Sequence, residues 1–372
     1  MQHQPLTQRY RPQVFADLLG QNEVVQVLCG AIQSGRIAPA YLFTGLRGTG
    51  KTSAARIFAK SLNCLRSDQP TTDPCGVCDT CQAIARGDAL DVIEIDAASN
   101  TGVENMRDVI ERAQFVPLQC RYKVYVVDEC HMLSTAAFNA LLKTLEEPPQ
   151  HVVFILATTD PQRLLTTIIS RCQRFDFRSI PATVIETALT AIAVQEGINA
   201  APEALKFIAQ RAEGGLRDAA NLLEQARLLK VITLESLYQL VGVLTEDRLV
   251  PLVHLFIQTE PDAVAKALDL CEALLLQGHQ PLTVLEGLVQ VVTDLQVAKQ
   301  APTRPDLATY ATLWETLLDL AANCSVMQLQ VLGNQLRAAA DLIRHSEQGS
   351  LWLKRLVLDL LALDQSDFLG MV

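Results

Sequence analysis

The sequence lacks any long hydrophobic run and any basic-then-apolar pattern near its N-terminus. No stretch of the 372 residues is apolar over enough length to cross a bilayer. The N-terminus does not show a basic segment followed by an apolar one, which is the pattern of a secretory signal. These absences exclude a membrane-spanning chain, and we expect a cytoplasmic protein with no membrane partner. Internal repeats and low-complexity tracts are absent as well.

An excess of basic charge is also missing. Charged residues make up 19% of the chain, and the formal net charge is −10. A protein that coats nucleic acid on its own generally has a basic surface, so this charge argues against that class. A local basic strip that acts inside an assembly is still compatible with it. The length predicts two or three domains, because one hydrophobic core seldom serves so long a chain.

The first half of the chain alternates short β patterns with helical ones. The strand candidates are 40–45, 90–97, 123–129 and 152–159. Three of them are nearly continuous apolar runs, as expected for parallel strands that are covered on both faces. Beyond about Phe177 the pattern is helical, with a loop at 299–306. We predict an α/β fold of the nucleotide-binding kind, a parallel sheet with helices, followed by helical domains, with the divisions at 1–178, 179–242 and 243–372.

A phosphate-binding loop is predicted at 45–52, where GLRGTGKT fits G-x-x-x-x-G-K-T. It lies between a predicted strand and a predicted helix, a context that a chance glycine-rich turn rarely has. Its backbone N–H groups can surround phosphates, Lys51 can reach the β- and γ-phosphates, and the Thr52 hydroxyl can ligate Mg²⁺. The predicted nucleotide contacts are Gly45, Gly48, Thr49, Gly50, Lys51, Thr52 and Ser53.

An acidic pair ends the predicted strand VYVVDE. Asp128 can hold the Mg²⁺ through water, and Glu129 can polarise the attacking water. A solvated acidic pair is the alternative, but the position one strand-helix-strand module after the phosphate loop favours catalysis. Thr159, at the end of the next strand, can touch the γ-phosphate or its water, or it can cap a turn. His131 could sense the site or simply pack, and we expect packing.

Four of the ten cysteines form a cluster with the spacing C-x10-C-x2-C-x2-C. They are Cys64, Cys75, Cys78 and Cys81. Disulfides are disfavoured in a chain without an export signal. Four thiolates in one short excursion match a closed tetrahedral Zn²⁺ site with a structural role. An iron–sulfur cluster is the alternative.

Several motifs together resemble one family. They are YRPQVFADLLGQ, GLRGTGKTSAARIFAKSLNC, CGVCDTC, DECHMLS, FNALLKTLEEPP, LATTDPQRL, SRCQRF and GGLRDAANLLEQA. In this order, with the cysteines after the phosphate-loop helix, they resemble the bacterial clamp-loader ATPase subunits, the gamma/tau subunits of DNA polymerase III, within the AAA+ superfamily. The match is dense from Arg9 to about Ala226, and the helical remainder matches mainly in length and character.

The resemblance implies an ATPase with an AAA+ domain that carries a zinc-binding insertion at 64–81, a helical lid, and a helical collar through which subunits associate with each other. Such subunits form a five-subunit ring with delta-type and delta-prime-type subunits. The ring opens the sliding clamp in its ATP-bound form and places it on primer-template DNA, and hydrolysis releases it. ATP, Mg²⁺ and Zn²⁺ are the cofactors that the resemblance implies.

The resemblance also assigns roles to single residues. Thr159 matches the sensor-1 position, and Arg217 resembles the sensor-2 arginine that reaches the γ-phosphate from the lid, although by itself it looks like a surface charge at a helix start. Arg171, in SRC, resembles the arginine finger that acts in trans in a neighbour's ATP site. Its alternative is an intrachain salt bridge to a residue such as Asp176. The segment that resembles the lining of the adenine pocket is Arg9, Tyr10, Arg11 and Pro12.

Two features depart from the family pattern. In the segment 97–108, which resembles the one that faces DNA, Asn100 and Gly102 stand where close relatives carry basic residues. Thr101 and backbone amides can still meet a phosphate, and Lys143 keeps a basic charge that relatives share, so we expect a weaker DNA contact. The chain ends at Val372, close to the expected end of the collar, and we expect a short or truncated form.

Two other functions compete with an ATPase motor. An assembly scaffold would bind ATP and hydrolyse it negligibly, as do family members whose phosphate loops are eroded. The intact residues Lys51, Thr52, Asp128 and Glu129 favour the motor. Another AAA+ remodeller, such as a branch-migration motor, is disfavoured by the cysteine cluster and the SRC triplet. If Arg171 acts in trans, a lone subunit is expected to be a poor ATPase.

Overall fold

The computed structural model describes residues 4–242, 246–257, 262–309 and 313–362. Contacts divide the chain into two compact units, Met1–Leu234 and Glu235–Val372. The first unit contains both the α/β part and the short helical part that follows it. Within the described ranges, no helix has the length and the apolar character that a membrane crossing requires.

A parallel sheet forms the centre of the first unit. Its strands are β1 (Ala40–Gly45), β2 (Val92–Asp96), β3 (Lys123–Asp128), β4 (Val152–Thr158) and β5 (Gln173–Phe177), in the spatial order β2-β3-β4-β1-β5. β1, β3 and β4 are almost entirely buried, as their continuous apolar sequences require. The four predicted strands are thereby confirmed, apart from a residue or two at some ends.

The edge strand β5 lies outside the four strands predicted from the sequence. It pairs with β1 alone, so one long side is open. Phe175 and Phe177 are buried, whereas Gln173, Arg174 and Asp176 are exposed. An edge strand covered on one face alternates apolar and polar residues instead of forming an apolar run. The alternation in QRFDF is the signal that identifies it.

Helices cover both faces of this sheet. They are α2 (Asn22–Gln33), α3 (Lys51–Asn63), α4 (Asp79–Arg86), α5 (Val103–Ala113), α6 (Thr135–Glu146) and α7 (Thr166–Ile169), whereas the short α1 (Leu6–Arg9) packs against a later helix of the unit. Successive residues of β1 point to opposite faces. Tyr41 therefore packs against Phe58 of α3, with ring centroids 4.9 Å apart, while Leu42 shares the other cluster with Phe138 of α6. The start of α3 and the carboxyl ends of the strands meet at one edge of the sheet.

Three further helices complete the first unit, α8 (Ala182–Glu196), α9 (Pro202–Arg211) and α10 (Leu216–Ala226). Pro181 precedes α8 and Pro202 begins α9, which are positions where proline's fixed φ suits a helix start. The turn before α10 is tight. Gly214 has φ +90°, and a Cβ there would lie 2.6 Å from the Cβ of Ser179. This turn places the beginning of α10 against the end of the sheet.

The described residues of the second unit are helical, in agreement with the predicted all-α region. Its helices are α11 (Leu234–Val241), α12 (Glu246–Ile257), α13 (Ala263–Leu276), α14 (Pro281–Gln300), α15 (Trp314–Ala322), α16 (Val326–His345) and α17 (Gly349–Leu361). One hydrophobic cluster holds α12 to α17 together, with Leu288, Val291 and Leu295 of α14 fully buried in it. The predicted loop at 299–306 begins after α14, at Ala301.

Candidate nucleotide and metal sites

The phosphate loop lies between β1 and α3, as predicted. Gly45 must be glycine, because a Cβ there would lie 2.3 Å from the carbonyl oxygen of Phe177. Gly50, just before α3, has φ +102°, in the left-handed region. The loop thus brings its backbone N–H groups to the N-terminus of a helix, which is an arrangement that binds anions.

Lys51 reaches back over this loop. Its Nζ donates to the carbonyl oxygens of Gly45 and Leu46, both at 2.8 Å. Burial lowers the pKa of Lys51, and the nearby carboxylates of Glu129 and Asp128 partly oppose that shift. A largely buried ammonium group with carbonyl partners can exchange them for phosphate oxygens, which carry full negative charge and bind it more strongly.

Thr52 and Asp128 meet at the same edge. The Thr52 hydroxyl donates to Oδ2 of Asp128 at 2.8 Å, which joins the first turn of α3 to the last residue of β3. Hydroxyl and carboxylate oxygens are donors that suit Mg²⁺. The two residues predicted to hold the metal are therefore brought together, and their chemistry fits a magnesium ion bound with a nucleotide.

Glu129 is held by Thr159. Its Oε2 accepts from the Thr159 hydroxyl at 2.9 Å and from the Thr159 backbone N–H at 3.2 Å. Its backbone has φ +47°, a conformation that costs a non-glycine residue about 1–3 kcal/mol and recurs at functional sites. The Thr159 hydroxyl therefore contacts the carboxylate predicted to act as base, and the neighbouring turn is capped by Thr158 and Asp160.

His131 takes part in the same network, which the expectation of packing missed. Its Nδ1 lies 2.9 Å from the Thr158 hydroxyl and 3.4 Å from Oε2 of Glu129. The side chain is nearly covered. The local sequence DECH contained the signal, since the residue two positions after a strand-end glutamate in a short turn stays close to it.

A cavity of about 920 Å³ collects the predicted nucleotide residues. From the sequence predictions, its lining includes Tyr10, Arg11, Pro12, Gly48, Thr49, Gly50, Lys51, Thr52, Ser53, Asp128, Glu129 and Arg217. Gly45 and Thr159 contact it indirectly, through Lys51 and Glu129 respectively. The backbone N–H of Leu216 donates to the carbonyl of Gly48 at 3.1 Å, so α10 is bonded directly to the phosphate loop. Arg217, which follows, is thereby brought to the same cavity.

One further residue at this cavity, Arg56, was not predicted. Arg56 lines it, and its guanidinium donates to Glu94 of β2 at 2.6 Å. It stands four residues after Thr52, on the same face of α3, a spacing that could have identified it. Arg11, from the predicted N-terminal segment, is partly buried, and burial together with the nearby Arg56 lowers its pKa. The cavity therefore has a positive potential that suits a polyphosphate.

Arg9 is separated from the rest of its predicted segment. Its guanidinium donates to Glu196, at the end of α8, at 2.6 Å, and Arg9 is not among the residues that line the cavity. The Tyr10 hydroxyl donates to the same carboxylate at 2.8 Å. The N-terminal segment is thus fastened to the helical part of the unit, a contact that no local pattern indicates.

Arg171 forms an intrachain salt bridge. Its Nε donates to Glu146 at 2.8 Å, and its guanidinium also donates to the carbonyl of Thr167 at 2.7 Å. The partner suggested from the sequence, Asp176, is bonded instead to Arg174 at 2.8 Å and to the Thr44 hydroxyl. Arg171 does not line the cavity of its own chain and is partly exposed.

The four clustered cysteines converge. The Sγ atoms of Cys64, Cys75, Cys78 and Cys81 all lie within 4.8 Å of one another. Tetrahedral zinc with Zn–S bonds of about 2.3 Å places its sulfurs about 3.8 Å apart, so the cluster fits this metal. The backbone N–H of Cys75 donates to the sulfur of Cys64, and that of Cys78 to the sulfur of Cys75, both at 3.4 Å.

The thiol chemistry also fits a metal. Backbone N–H groups of Val77 and Cys78 lower the pKa of Cys75 to about 6, which favours the thiolate. Burial raises the pKa of Cys81, so a cation is the partner that would keep it ionised. Four sulfurs with two of the residues buried leave little room for water, as in closed structural sites.

The segment that resembles the DNA-facing one begins α5. The side chain of Asn100 turns back and donates to the carbonyl of Asp96 at 3.0 Å. Gly102 precedes the first helical residue, and Glu104 stands in the first turn. Lys143 is exposed on α6. The start of α5 thus combines available backbone amides with an acidic neighbour.

Two family models match this chain. The model for DNA polymerase III, delta subunit, matches residues 20–181, and the model for the DNA polymerase III clamp loader subunit, ATPase lid domain, matches residues 184–227. The solved RuvB Holliday junction branch migration motor of Thermotoga maritima is similar over 66% of this chain and 79% of that chain, with 18% identity and a TM-score of 0.47.

Several relatives of higher identity than this solved structure are subunits of DNA polymerase III. The chain is 39% identical to DNA polymerase III subunit tau of Bacillus subtilis over 95% of this chain and 61% of that protein. It is 43% identical to subunit tau of Escherichia coli over 81% and 47%, respectively, and 49% identical to subunit gamma of Buchnera aphidicola over 61% and 62%. It spans about half to three fifths of their length. With its matches to both family models and to these relatives, the chain belongs to the family of the bacterial DNA polymerase III gamma and tau subunits.

Proposed function

We propose that this chain is an ATPase motor subunit of a bacterial sliding-clamp loader, which couples ATP binding and hydrolysis to opening the clamp and placing it on primer-template DNA. The observation that carries the proposal is the shared cavity. There the phosphate loop, the Asp128–Glu129 pair and Arg217 of the lid helix α10 face one space. The clamp and the DNA are proposed as its substrates because the chain belongs to this family.

The geometry supports different roles for the residues around the phosphates. Lys51, Arg217 and the amides of the loop bind the β- and γ-phosphates and hold them still. Glu129 orients the attacking water and takes up its proton, while Thr159 fixes the carboxylate in position. Thr52 and Asp128 would hold a magnesium ion, whose positive charge would offset the negative charge of the phosphates.

The base of the nucleotide fits the N-terminal segment. Tyr10, Arg11 and Pro12 line the cavity at some distance along the chain from the phosphate loop, and we assign them to the adenine. Arg9 acts differently, by holding the segment to Glu196 of α8. The lid thus contacts both ends of the nucleotide, so closure of the lid and binding of ATP are expected to accompany each other.

Arg171 is suited to act in the ATP site of a neighbouring subunit. Its own cavity already has Lys51, Arg56 and Arg217 facing the phosphates. A partly exposed guanidinium bound to Glu146 can leave that carboxylate for the γ-phosphate of a neighbouring subunit, where it would stabilise charge in the transition state. The assembly would be a five-subunit ring with delta-type and delta-prime-type subunits, joined through the helical second unit.

The test of the motor is ATPase activity in stages. We expect slow hydrolysis by the chain alone and strong stimulation when the clamp, primed DNA and partner subunits are added together. Hydrolysis that stays negligible in the full mixture would favour the scaffold, which binds nucleotide without using it.

The test of Arg171 is a mixed assembly. Subunits with Arg171→Ala should bind ATP at their own sites with normal affinity but fail to activate a wild-type neighbour, with a loss of roughly 10³-fold in the rate at that site. Arg174→Ala is the matched control, since Arg174 is an exposed arginine of the same segment with a partner of its own. Normal activation by the Arg171→Ala variant would mean that Arg171 serves only in its intrachain salt bridge.

A further inference from the structure

Arg121 belongs to none of the motifs, yet it binds the end of the phosphate-loop helix. Its Nε donates to the carbonyl of Leu62 at 3.0 Å, and another guanidinium nitrogen donates to the carbonyl of Cys64 at 2.6 Å. The remaining guanidinium nitrogen donates to the carbonyl of Ser67. Three carbonyls that flank the first cysteine of the cluster therefore converge on one side chain.

Elementary helix chemistry explains why a guanidinium suits this place. The last carbonyls of a helix have no partner within it, and a cation is favourable at that end. Leu62 lies in the last turn of α3, and Cys64 is its C-cap residue. A planar group with five N–H donors can serve three acceptors at once, which a lysine ammonium on its flexible stem cannot do in the same geometry.

The neighbours of Arg121 lock the same junction. Asn63 is fully buried, and its side chain pairs with Tyr122 in both directions. Nδ2 of Asn63 donates to the Tyr122 carbonyl at 3.0 Å, and the Tyr122 N–H donates to Oδ1 of Asn63 at 2.8 Å. Tyr122 immediately precedes β3, so the end of α3 is fastened to the beginning of that strand.

The backbone that carries Arg121 is itself anchored. The buried carboxylate of Asp91 accepts from the N–H groups of Leu118, Gln119 and Cys120 at 2.7 to 2.9 Å. These three residues directly precede Arg121. The guanidinium is therefore presented from a fixed loop, and the carbonyls that it binds are held at a fixed distance from the sheet.

We infer that Arg121 is the positioning residue of the four-cysteine zinc site. By binding the carbonyls of Leu62, Cys64 and Ser67 it fixes the backbone on both sides of Cys64, and so it aims the first sulfur at the other three. The inference rests on the proposed assignment of zinc to the cluster. Groups that orient metal ligands contribute about 10- to 100-fold to metal affinity, and Arg121 acts on Cys64 through its backbone.

The experiment measures zinc release in the full chain. Purified wild type, Arg121→Gln and Arg121→Lys are mixed with a chromogenic chelator, and the zinc that each retains is titrated. We expect both variants to hold zinc about 10- to 100-fold more weakly than wild type. Hydrogen exchange should rise at the same time in the stretch 64–73, which a loss of charge alone would not cause.

The controls separate the possible failures. Arg66→Gln removes the same charge from an exposed arginine of the loop that follows Cys64 and should release zinc as wild type does. Wild-type affinity in Arg121→Gln would overturn the inference, and wild-type affinity in Arg121→Lys would show that charge suffices and overturn the three-carbonyl geometry. If Arg121→Gln does not fold, Arg121→Lys alone decides. A wild-type chain without zinc refutes the zinc assignment itself, which is a separate outcome.

Discussion

The two ends of helix α3 are both tied to strand β3, but in different ways. At the N-terminal end, Thr52 bonds to Asp128 through side chains that line a cavity. At the C-terminal end, the fully buried Asn63 bonds twice to Tyr122, which is partly buried. The first contact lines a cavity and can be exchanged for a ligand, while the second joins two parts of the fold away from that cavity. One helix therefore carries a working end and an anchored end.

The difference explains how binding energy is used. A site that must release its product needs partners that are replaceable at small cost, such as the carbonyls that Lys51 now contacts. Work on a nucleotide also requires that the binding groups do not drift, because a small displacement greatly slows chemistry. The cysteine cluster and Arg121 lie at the opposite end of α3, about 20 Å away, the approximate length of a 13-residue helix.

The largest effect is expected at the working end, in Glu129→Gln. The amide keeps the size and the contacts with Thr159 but cannot accept a proton, so ATP should still bind while hydrolysis falls roughly 10³-fold. Single-turnover hydrolysis and nucleotide affinity would be measured separately. Glu203→Gln, an exposed change on α9, serves as the control. Normal turnover in Glu129→Gln would rule out its role as the base.

Lys51→Ala should abolish binding rather than chemistry. Each hydrogen bond from a charged donor contributes about 1.5–3 kcal/mol, so loss of the contacts to the β- and γ-phosphates should weaken ATP binding roughly 100-fold or more. Equilibrium binding of a fluorescent nucleotide would measure it, with Lys206→Ala on the exposed face of α9 as control. Unchanged affinity in Lys51→Ala would contradict the assignment of the phosphate loop.

How far the sequence predicts these two ends follows from the range of their contacts. The working end was predicted residue by residue, because a phosphate loop and a strand-end acidic pair are local patterns with fixed chemistry. The cysteines were predicted by spacing, for the same reason. Arg121, Glu196 and the pair of Arg171 with Glu146 were not, since each depends on residues that are distant along the chain and meet only in the folded structure.

Removal of zinc tests whether the anchored end is independent. We expect metal analysis to find about one zinc per chain, and chelation to raise hydrogen exchange in the insertion at 64–81 while nucleotide affinity changes little. The reason is that the phosphate contacts arise from the other end of α3. A large loss of nucleotide affinity on chelation would show that the two ends are coupled. Iron with inorganic sulfide in place of zinc would replace the metal assignment.

The smallest effect is expected where the N-terminal segment meets the lid. Hydrogen bonds from Arg9, and then from Tyr10, lower the pKa of Glu196 below the ordinary value for glutamate. The contact is therefore complete at neutral pH and is lost as the pH falls through that lowered pKa. Glu196→Gln removes the charge, and we expect it to weaken nucleotide binding about two- to fivefold, the range of a single exposed ion pair.

The Arg9–Glu196 contact is partly exposed, so it can be broken as readily as the contact between Thr52 and Asp128. Nucleotide affinity measured from pH 7 downward should decline in wild type only below the ordinary glutamate pKa. The affinity of Glu196→Gln should already be lower at pH 7 and should not show that decline. Glu186→Gln on the same helix should follow wild type. If Glu196→Gln has wild-type affinity at every pH, the segment does not depend on the lid, and only the phosphate end of the cavity is linked to α10.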